Sequence, residues 1–94
     1  MPRSKSVLKA ARQNEKRRIR NQSIRTRYRT AVKQVHAALE QGDAQASQEA
    51  LAHAIRTIDG TSSKGVIHPR TASRKISRLS RRVHALQHEK SAAS

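Results

Sequence analysis

Lysine and arginine recur through the first third of the chain at intervals of three and four residues, which places them on one side of a helix. The cations of this face are Lys5, Lys9, Arg12, Lys16, Arg20 and Arg27. Other faces carry Arg18, Arg25, Arg29 and Lys33, so the helix is charged nearly all round. Such side chains bind phosphate, lysine as a point charge and arginine through its fork of N–H donors. Only Glu15 is there to pair with them, so the pattern favours contact with a polyanion over a merely solvated helix.

The basic residues form two blocks that flank an acidic one. The chain carries 21 lysines and arginines against 6 aspartates and glutamates, a net charge of +15 over 94 residues. Residues 1–33 hold twelve cations and one acid, residues 34–63 one cation and four acids, and residues 64–94 eight cations and one acid. Self-repulsion of this size works against a compact chain, and a polyanion would relieve it. We interpret the first and third blocks as contact surfaces and the middle block as a solvent-facing brace.

The sequence offers no set of residues suited to catalysis or to holding a metal. There is no cysteine, and the pair His84 and His88 has no convincing third ligand beyond Glu89. The three glycines are isolated, so no glycine-rich phosphate loop exists, and the six acids are dispersed. We therefore expect no enzyme, no cofactor and no dedicated small-molecule ligand.

Apolar residues are too sparse and too scattered for a membrane segment. The longest run of large apolar residues is two, and the start of the chain has no apolar stretch of the kind found in secretory signals. Val7, Leu8, Ile19 and Ile24 form no continuous stripe that would suit a helix lying on a membrane. We expect no membrane partner and a soluble protein of the cytoplasm.

Helical spacing of apolar residues organises the whole chain. The stripes are Tyr28, Val32, Val35 and Leu39, then Ala44, Leu51, Ile55 and Ile58, then Ala72, Ile76, Leu79, Val83 and Leu86. Breaks are supplied by Gly42-Asp43, by a turn from Gly60 to Gly65, and by Pro69, which suits a first helical turn. The spacing predicts helices over 6–41, 43–60 and 69–88, with a disordered tail over 89–94. The fold class is all-α: a single domain over 1–94, in which helices two and three form an antiparallel hairpin against an overlong basic helix one.

The first stripe loses its apolar character when it is followed backward from Tyr28. The positions at the same steps are Arg25, Asn21, Arg18 and Asn14, yet neither glycine nor proline occurs within 6–41 to end the helix. About 22 residues at about 1.5 Å each would therefore project roughly 30 Å from the bundle. We expect this part to fray in the free protein and to become ordered on its partner.

The single aromatic residue bears on the kind of nucleic acid. Tyr28 lies on the apolar stripe, so we expect no base stacking of the kind seen in sheet-based single-strand binders. Recognition would rest on backbone shape and phosphate spacing, which favours folded RNA around the helix. Duplex DNA stays open, since a basic helix also docks in a major groove. A leucine-zipper DNA binder would need a longer stripe than the one that Gly42 ends.

Several segments match one family in order and spacing. They are Lys5-Ser6, Arg20-Asn21-Gln22-Ser23, Arg25, Arg29-Thr30, Val32-Lys33, Gly42-Asp43, Lys64-Gly65-Val66-Ile67-His68 and Ala72-Ser73-Arg74-Lys75-Ile76-Ser77-Arg78-Leu79. In these segments the chain resembles the family of bacterial small-subunit ribosomal protein twenty over essentially its full length. It departs from the family pattern at Pro69-Arg70, where lysine followed by asparagine is common.

The resemblance implies a structural protein that binds 16S ribosomal RNA directly and early in assembly of the small subunit. It also implies a three-helix bundle whose long first helix reaches among RNA helices. We expect 16S ribosomal RNA and other small-subunit components as partners, and no homo-oligomer. The residues expected to contact RNA are Arg3, Lys5, Lys9, Arg12, Lys16, Arg17, Arg20, Asn21, Ser23, Arg25, Arg27, Arg29, Lys33, Lys64, His68, Arg70, Arg74, Lys75, Arg78, Arg81 and Arg82.

Two other functions stay open from the residues alone. A nucleoid-type DNA-architectural protein would bind duplex DNA as well as RNA and would dimerise. An interaction protein whose basic face meets an acidic protein would bind RNA weakly at moderate salt. Competition between nucleic acids at controlled salt separates the three.

Overall fold

The computed structural model describes residues 5–93 and folds them into three helices. They are α1 (Lys5–Glu40), α2 (Ala44–Ser63) and α3 (Pro69–Ala93), and no strand occurs within residues 5–93. The molecule measures 75 × 22 × 15 Å, because α1 is 36 residues long and extends past its partners. The predicted fold class, an all-α bundle with an overlong first helix, is confirmed.

The turn between α1 and α2 is closed by a left-handed glycine and an N-cap carboxylate. Gly42 has a φ of +69°, and the amide of Asp43 donates to the carbonyl of Ala38 across the helix end (3.3 Å). Asp43 then begins α2, since its Oδ1 accepts from the amide of Ala46 at 3.0 Å. The sequence predicted this break at these two residues.

The second turn begins later than the sequence predicted. Helix α2 passes through Gly60 and ends at Ser63, whereas the predicted helix ended at 60 and the predicted turn began there. Thr61 explains the extension, because it is buried and its hydroxyl donates to the carbonyl of Thr57 at 2.7 Å. The left-handed glycine is Gly65, with φ +76°, and the amide of Val66 donates to the carbonyl of Thr61.

Helix α3 begins as predicted and continues further. Pro69 is its first residue, and the Nδ1 atom of His68 accepts from the amide of Arg70 at 3.1 Å, as an N-cap group does. The helix runs to Ala93, so 89–93 continue it and do not form the predicted disordered tail. Neither glycine nor proline follows Pro69, and alanine has the highest helix propensity, so nothing local ends the helix at 88. Ser94 lies outside the described residues.

The core takes residues from all three helices. Its buried members are Ala31, Val32 and Val35 of α1, Leu51, Ala54 and Ile58 of α2, and Ala72, Leu79 and Val83 of α3. Every one of these except Ala31 and Ala54 belongs to a predicted stripe. Ile24 is also buried, at 7% exposure, so the bundle begins one helical turn before Tyr28. The sequence placed that boundary too late because Arg25 and Asn21 interrupt the stripe.

Candidate nucleic-acid interface

The first half of α1 extends beyond the other two helices. Every residue from 5 to 20 is exposed, Asn21 is half-buried, and Ile24 is the first buried residue. We call residues 5–23 the projection; nineteen residues at about 1.5 Å each give it a length of roughly 29 Å. Its large apolar residues Val7, Leu8 and Ile19 are 50%, 47% and 55% exposed, so nothing in the described chain covers them.

Six of the seven cations of the projection have no carboxylate partner among the residues that the structure describes. The exception is Arg18, whose Nη2 and Nε donate to the two carboxylate oxygens of Glu15 at 2.7 and 3.1 Å. This is the one ion pair within 4.0 Å among residues 5–89, whose side chains the structure describes. The unpaired cations are Lys5, Lys9, Arg12, Lys16, Arg17 and Arg20. All six belong to the predicted contact set, and Arg18 does not.

Glu15 and Arg18 hold each other in the charged state. The hydrogen bond from Arg18, and after it the positive charge, lowers the pKa of the Glu15 carboxyl below its usual value. The same bond raises the pKa of the Arg18 guanidinium. Because the pKa of the Glu15 carboxyl is lower in the folded chain than in the unfolded chain, its ionised form stabilises the helix at pH values above the ordinary carboxyl pKa. That contribution is lost as pH falls through the lowered value, so the pair is intact at neutral pH.

Three of the four remaining cations of α1 lie beside the other helices, on two sides of α1. Arg27 lines a groove of about 470 Å³ between α1 and α2, together with Arg56 and Lys64 of the second helix and the loop after it. We call this the α1–α2 groove. On the other side, Arg29 and Lys33 lie beside Lys75 of α3 around a smaller pocket. Both sides of the bundled part of α1 are therefore cationic.

Helix α3 presents a row of arginines on the side away from the core. Arg74, Arg78 and Arg81 follow one another at steps of four and three, and all are exposed. They lie opposite the face that carries the buried Leu79 and Val83. We call Arg70, Arg74, Arg78 and Arg81 the α3 arginine row. Arg82 is exposed on the flank towards α1, where its Nη1 lies 3.4 Å from Nδ1 of His36.

The remaining predicted contact residues have varied placements. Ser23 and Arg25 are exposed on α1, and His68 is exposed while its ring caps α3. Arg3 lies outside the described residues. Arg56 was not among the predicted contacts because it stands alone in the acidic block. Its spacing of eight residues, about two helical turns, from Lys64 could have pointed to it.

The described chain has no grouping that suggests a metal centre or a membrane span. No set of three or more histidine, aspartate or glutamate side chains within residues 5–93 converges as metal ligands would. None of α1, α2 and α3 carries the apolar run that a membrane span needs. Cationic surface is what remains: the projection, the flanks of α1 and the α3 arginine row.

Comparison with known proteins agrees with this geometry. Residues 2–84 match the family described as ribosomal protein S20. A relative from Syntrophobacter fumaroxidans, named small ribosomal subunit protein bS20, is 48% identical over 86 residues, which is 92% of this chain and 100% of that protein. Proteins of the same name from Geotalea daltonii and Syntrophus aciditrophicus are 49% and 52% identical, over 92% and 86% of this chain and 99% and 91% of their own lengths.

The matched region covers α1, α2 and most of α3, and the relatives are matched over nearly their whole lengths. The resemblance drawn from the sequence motifs is therefore confirmed. The chain belongs to the ribosomal protein S20 family.

Proposed function

We propose that this protein binds 16S ribosomal RNA directly and helps to organise its folding during assembly of the small ribosomal subunit. Members of the family are structural components of the ribosome and not enzymes. The observation that carries the proposal is the projection, a helix about 29 Å long on which six cations have no carboxylate partner within the described part of the chain. Five of these cations share one face of the helix, which can follow the phosphates of folded RNA, and the cations on both flanks of the bundled part of α1 extend the contact to other sides.

Charge neutralisation combined with a fixed geometry would supply the mechanism. Each cation that meets a phosphate releases condensed counterions, which provides affinity without reading the sequence. The α3 arginine row lies on a different element from the projection, and α2 packs against both helices. Two RNA segments bound at these two surfaces are then held at a set distance. The protein acts as a clamp in the cytoplasm, within the small subunit and beside its other components.

The bundle gives the clamp a rigid base. Residues from α1, α2 and α3 share one core, and no buried side-chain nitrogen or oxygen among the described residues lacks a hydrogen-bond partner. The acidic middle block forms α2, whose Leu51, Ala54 and Ile58 enter this core while Glu49 and Asp59 face solvent. Acids on the exposed side of α2 would repel phosphate, which directs RNA towards the basic surfaces.

The α3 arginine row provides a test of the second surface. In the variant with Arg74, Arg78 and Arg81 all changed to alanine, we expect the slope of log affinity against log salt to fall by about 0.7–0.9 for each lost phosphate contact. Affinity for 16S ribosomal RNA at moderate salt falls with it. Salt-titrated binding of labelled RNA measures both quantities. The matched control changes the same three residues to lysine, which keeps the charge and should keep the slope. An unchanged slope in the alanine variant would contradict the assignment of the α3 arginine row to phosphate contact.

A substitution of Glu15 should strengthen RNA binding, whereas the alanine substitutions in the α3 arginine row should weaken it. Changing Glu15 to glutamine frees Arg18 from its only carboxylate partner and removes the one negative charge of the projection. We expect tighter RNA binding at low salt and a slope steeper by about one phosphate contact, roughly 0.7–0.9. The control, Glu49→Gln, removes an exposed acid from α2 and should leave both values nearly unchanged. Weaker RNA binding by the Glu15 variant would contradict this expectation. It would show that the ion pair favours RNA binding by stabilising the helix, and that it does not reduce binding by neutralising Arg18.

A further inference from the structure

A small pocket between α1 and α3 contains the only aromatic side chain of the protein. Tyr28, Val32, Lys33 and Lys75 line it together with Arg29 and His36, and its volume is about 280 Å³. This lies just below the roughly 300–1,000 Å³ of pockets that take a drug-sized molecule. A depression of this volume has room for one nucleotide base and its sugar. We call it the Tyr28 pocket.

Tyr28 is placed at the edge of the core and not within it. The residue is half-buried, packs against the core cluster and also lines the pocket. The sequence assigned it to the apolar stripe and so excluded base stacking. A residue at the edge of a stripe keeps part of its side chain accessible, and an accessible aromatic ring is a stacking platform for a base.

The charges around the pocket fit a nucleotide better than an apolar ligand. Arg29, Lys33 and Lys75 lie at its edge, and none of them forms an ion pair within the described chain. No carboxylate lines the pocket. An apolar surface with cations around it matches a nucleotide within a nucleic-acid strand, which has a flat base and a phosphate on each side. A segment of protein would need several acidic residues around one ring to match the same surface.

The pocket adjoins other basic residues to which RNA contact is assigned. Arg25 joins it to the projection along α1, and Lys75 directly follows Arg74 of the α3 arginine row. We propose that an unpaired nucleotide of the bound RNA places its base on Tyr28, while Lys33 and Lys75 hold the flanking phosphates. This inference rests on the proposed function, since it names a contact within the same RNA complex. Stacking accepts any base, so the requirement is for an unpaired nucleotide and not for a particular sequence.

The test compares two substitutions of Tyr28 in the full-length protein. Tyr28→Phe keeps the ring, and Tyr28→Leu keeps apolar bulk in the core while removing the ring. With labelled 16S ribosomal RNA, we expect the Phe variant to bind within about twofold of the parent. The Leu variant should bind about fivefold or more weakly, because loss of base stacking costs at least that factor. The salt slope should be the same for all three, because a stacking contact releases no counterions.

A second readout covers the case in which the Leu variant folds poorly. Tyrosine emission of the parent protein reports on Tyr28 alone, since the chain has no tryptophan and no other tyrosine. Saturation with 16S ribosomal RNA should quench this emission after correction for absorption by the RNA, because a stacked base deactivates the excited ring. A blunt-ended RNA duplex with no unpaired nucleotide, bound to the same extent, should quench it much less. Helix content of each variant, measured by circular dichroism, shows whether it is folded.

The outcomes separate this inference from the proposed function. If the parent binds 16S ribosomal RNA but emission is unchanged and Tyr28→Leu binds as tightly as the parent, the stacking contact is overturned and the clamp stands. If the parent shows no preference for 16S ribosomal RNA, the proposed function itself has failed. Quenching together with a weaker Leu variant and an unaffected Phe variant supports the contact.

Discussion

Changing Lys5, Lys9, Arg12, Lys16 and Arg20 to glutamine should lower affinity for 16S ribosomal RNA about a thousandfold or more at 0.1 M salt. These cations share one face of the projection, and none has a carboxylate partner in the described chain. Each phosphate contact contributes about 0.7–0.9 to the salt slope, so the loss of five lowers it by roughly 3.5–4.5. The difference in affinity should therefore shrink as salt is raised. Binding of labelled RNA over a salt series measures both effects.

The fold should survive this change. All five residues are exposed, they contribute nothing to the shared core, and glutamine is a good helix former. The matched control exchanges lysine and arginine at the same five positions, which keeps every charge and should keep the slope. A glutamine variant that binds within tenfold of the parent at 0.1 M salt would contradict the assignment of the projection to RNA.

Changing Leu79 to alanine should unfold much of the bundle in the free protein. Leu79 is 1% exposed and packs in the core with Ile58 and Val35, which are both fully buried. Truncation of a buried leucine costs about 2–5 kcal/mol, and a core of this size supplies roughly 3–5 kcal/mol of net stability. Urea unfolding followed by circular dichroism measures the loss. The net charge of +15 adds repulsion that the smaller core can no longer offset.

A leucine outside the core serves as the control. Leu8 lies in the projection and is 47% exposed, so Leu8→Ala should change the free energy of unfolding by no more than about 0.5 kcal/mol. Added RNA should raise the folded fraction of the Leu79→Ala variant, because a ligand that binds only the folded state stabilises that state by mass action. Equal urea midpoints for the two variants would mean that the three helices do not depend on the shared core.

The features that the sequence predicted well are those set by local chemistry. The apolar stripes predicted three helices correctly because the helical spacing of apolar residues is visible within short stretches of sequence. The helix break predicted at Gly42-Asp43 was correct because a left-handed glycine and a capping acid end one helix and begin the next through interactions with nearby residues. Family motifs such as Lys64-Gly65-Val66-Ile67-His68 are also local, and the family that they indicated is confirmed.

The features that the sequence did not predict depend on tertiary contacts. Gly60 looked like the start of a turn, but burial of Thr61 carries α2 past it. The apolar spacing could not show that Ile24 is covered, because the residues that cover it come from elsewhere in the chain. Arg56 lines the same groove as Arg27 only because α1 and α2 pack together. The half-burial of Tyr28 depends in the same way on where α3 lies.

A predicted property of the projection stays a prediction. An isolated arginine-rich helix of this length is marginal in water, so we expect it to fray in the free protein and to gain helix content on RNA. The cost of that ordering is part of the binding free energy. The bundle has its own core, so we expect it to keep its helix content whether or not RNA is bound.

Recognition of folded 16S ribosomal RNA differs from general binding of polyanions in its selectivity among nucleic acids. The most direct measurement is a competition in which labelled 16S ribosomal RNA meets the purified protein together with unlabelled duplex DNA or an unrelated folded RNA. We expect preference for 16S ribosomal RNA to persist at physiological salt, where nonspecific phosphate binding is weak. Equal competition by all three nucleic acids would contradict it and would favour a DNA-architectural role.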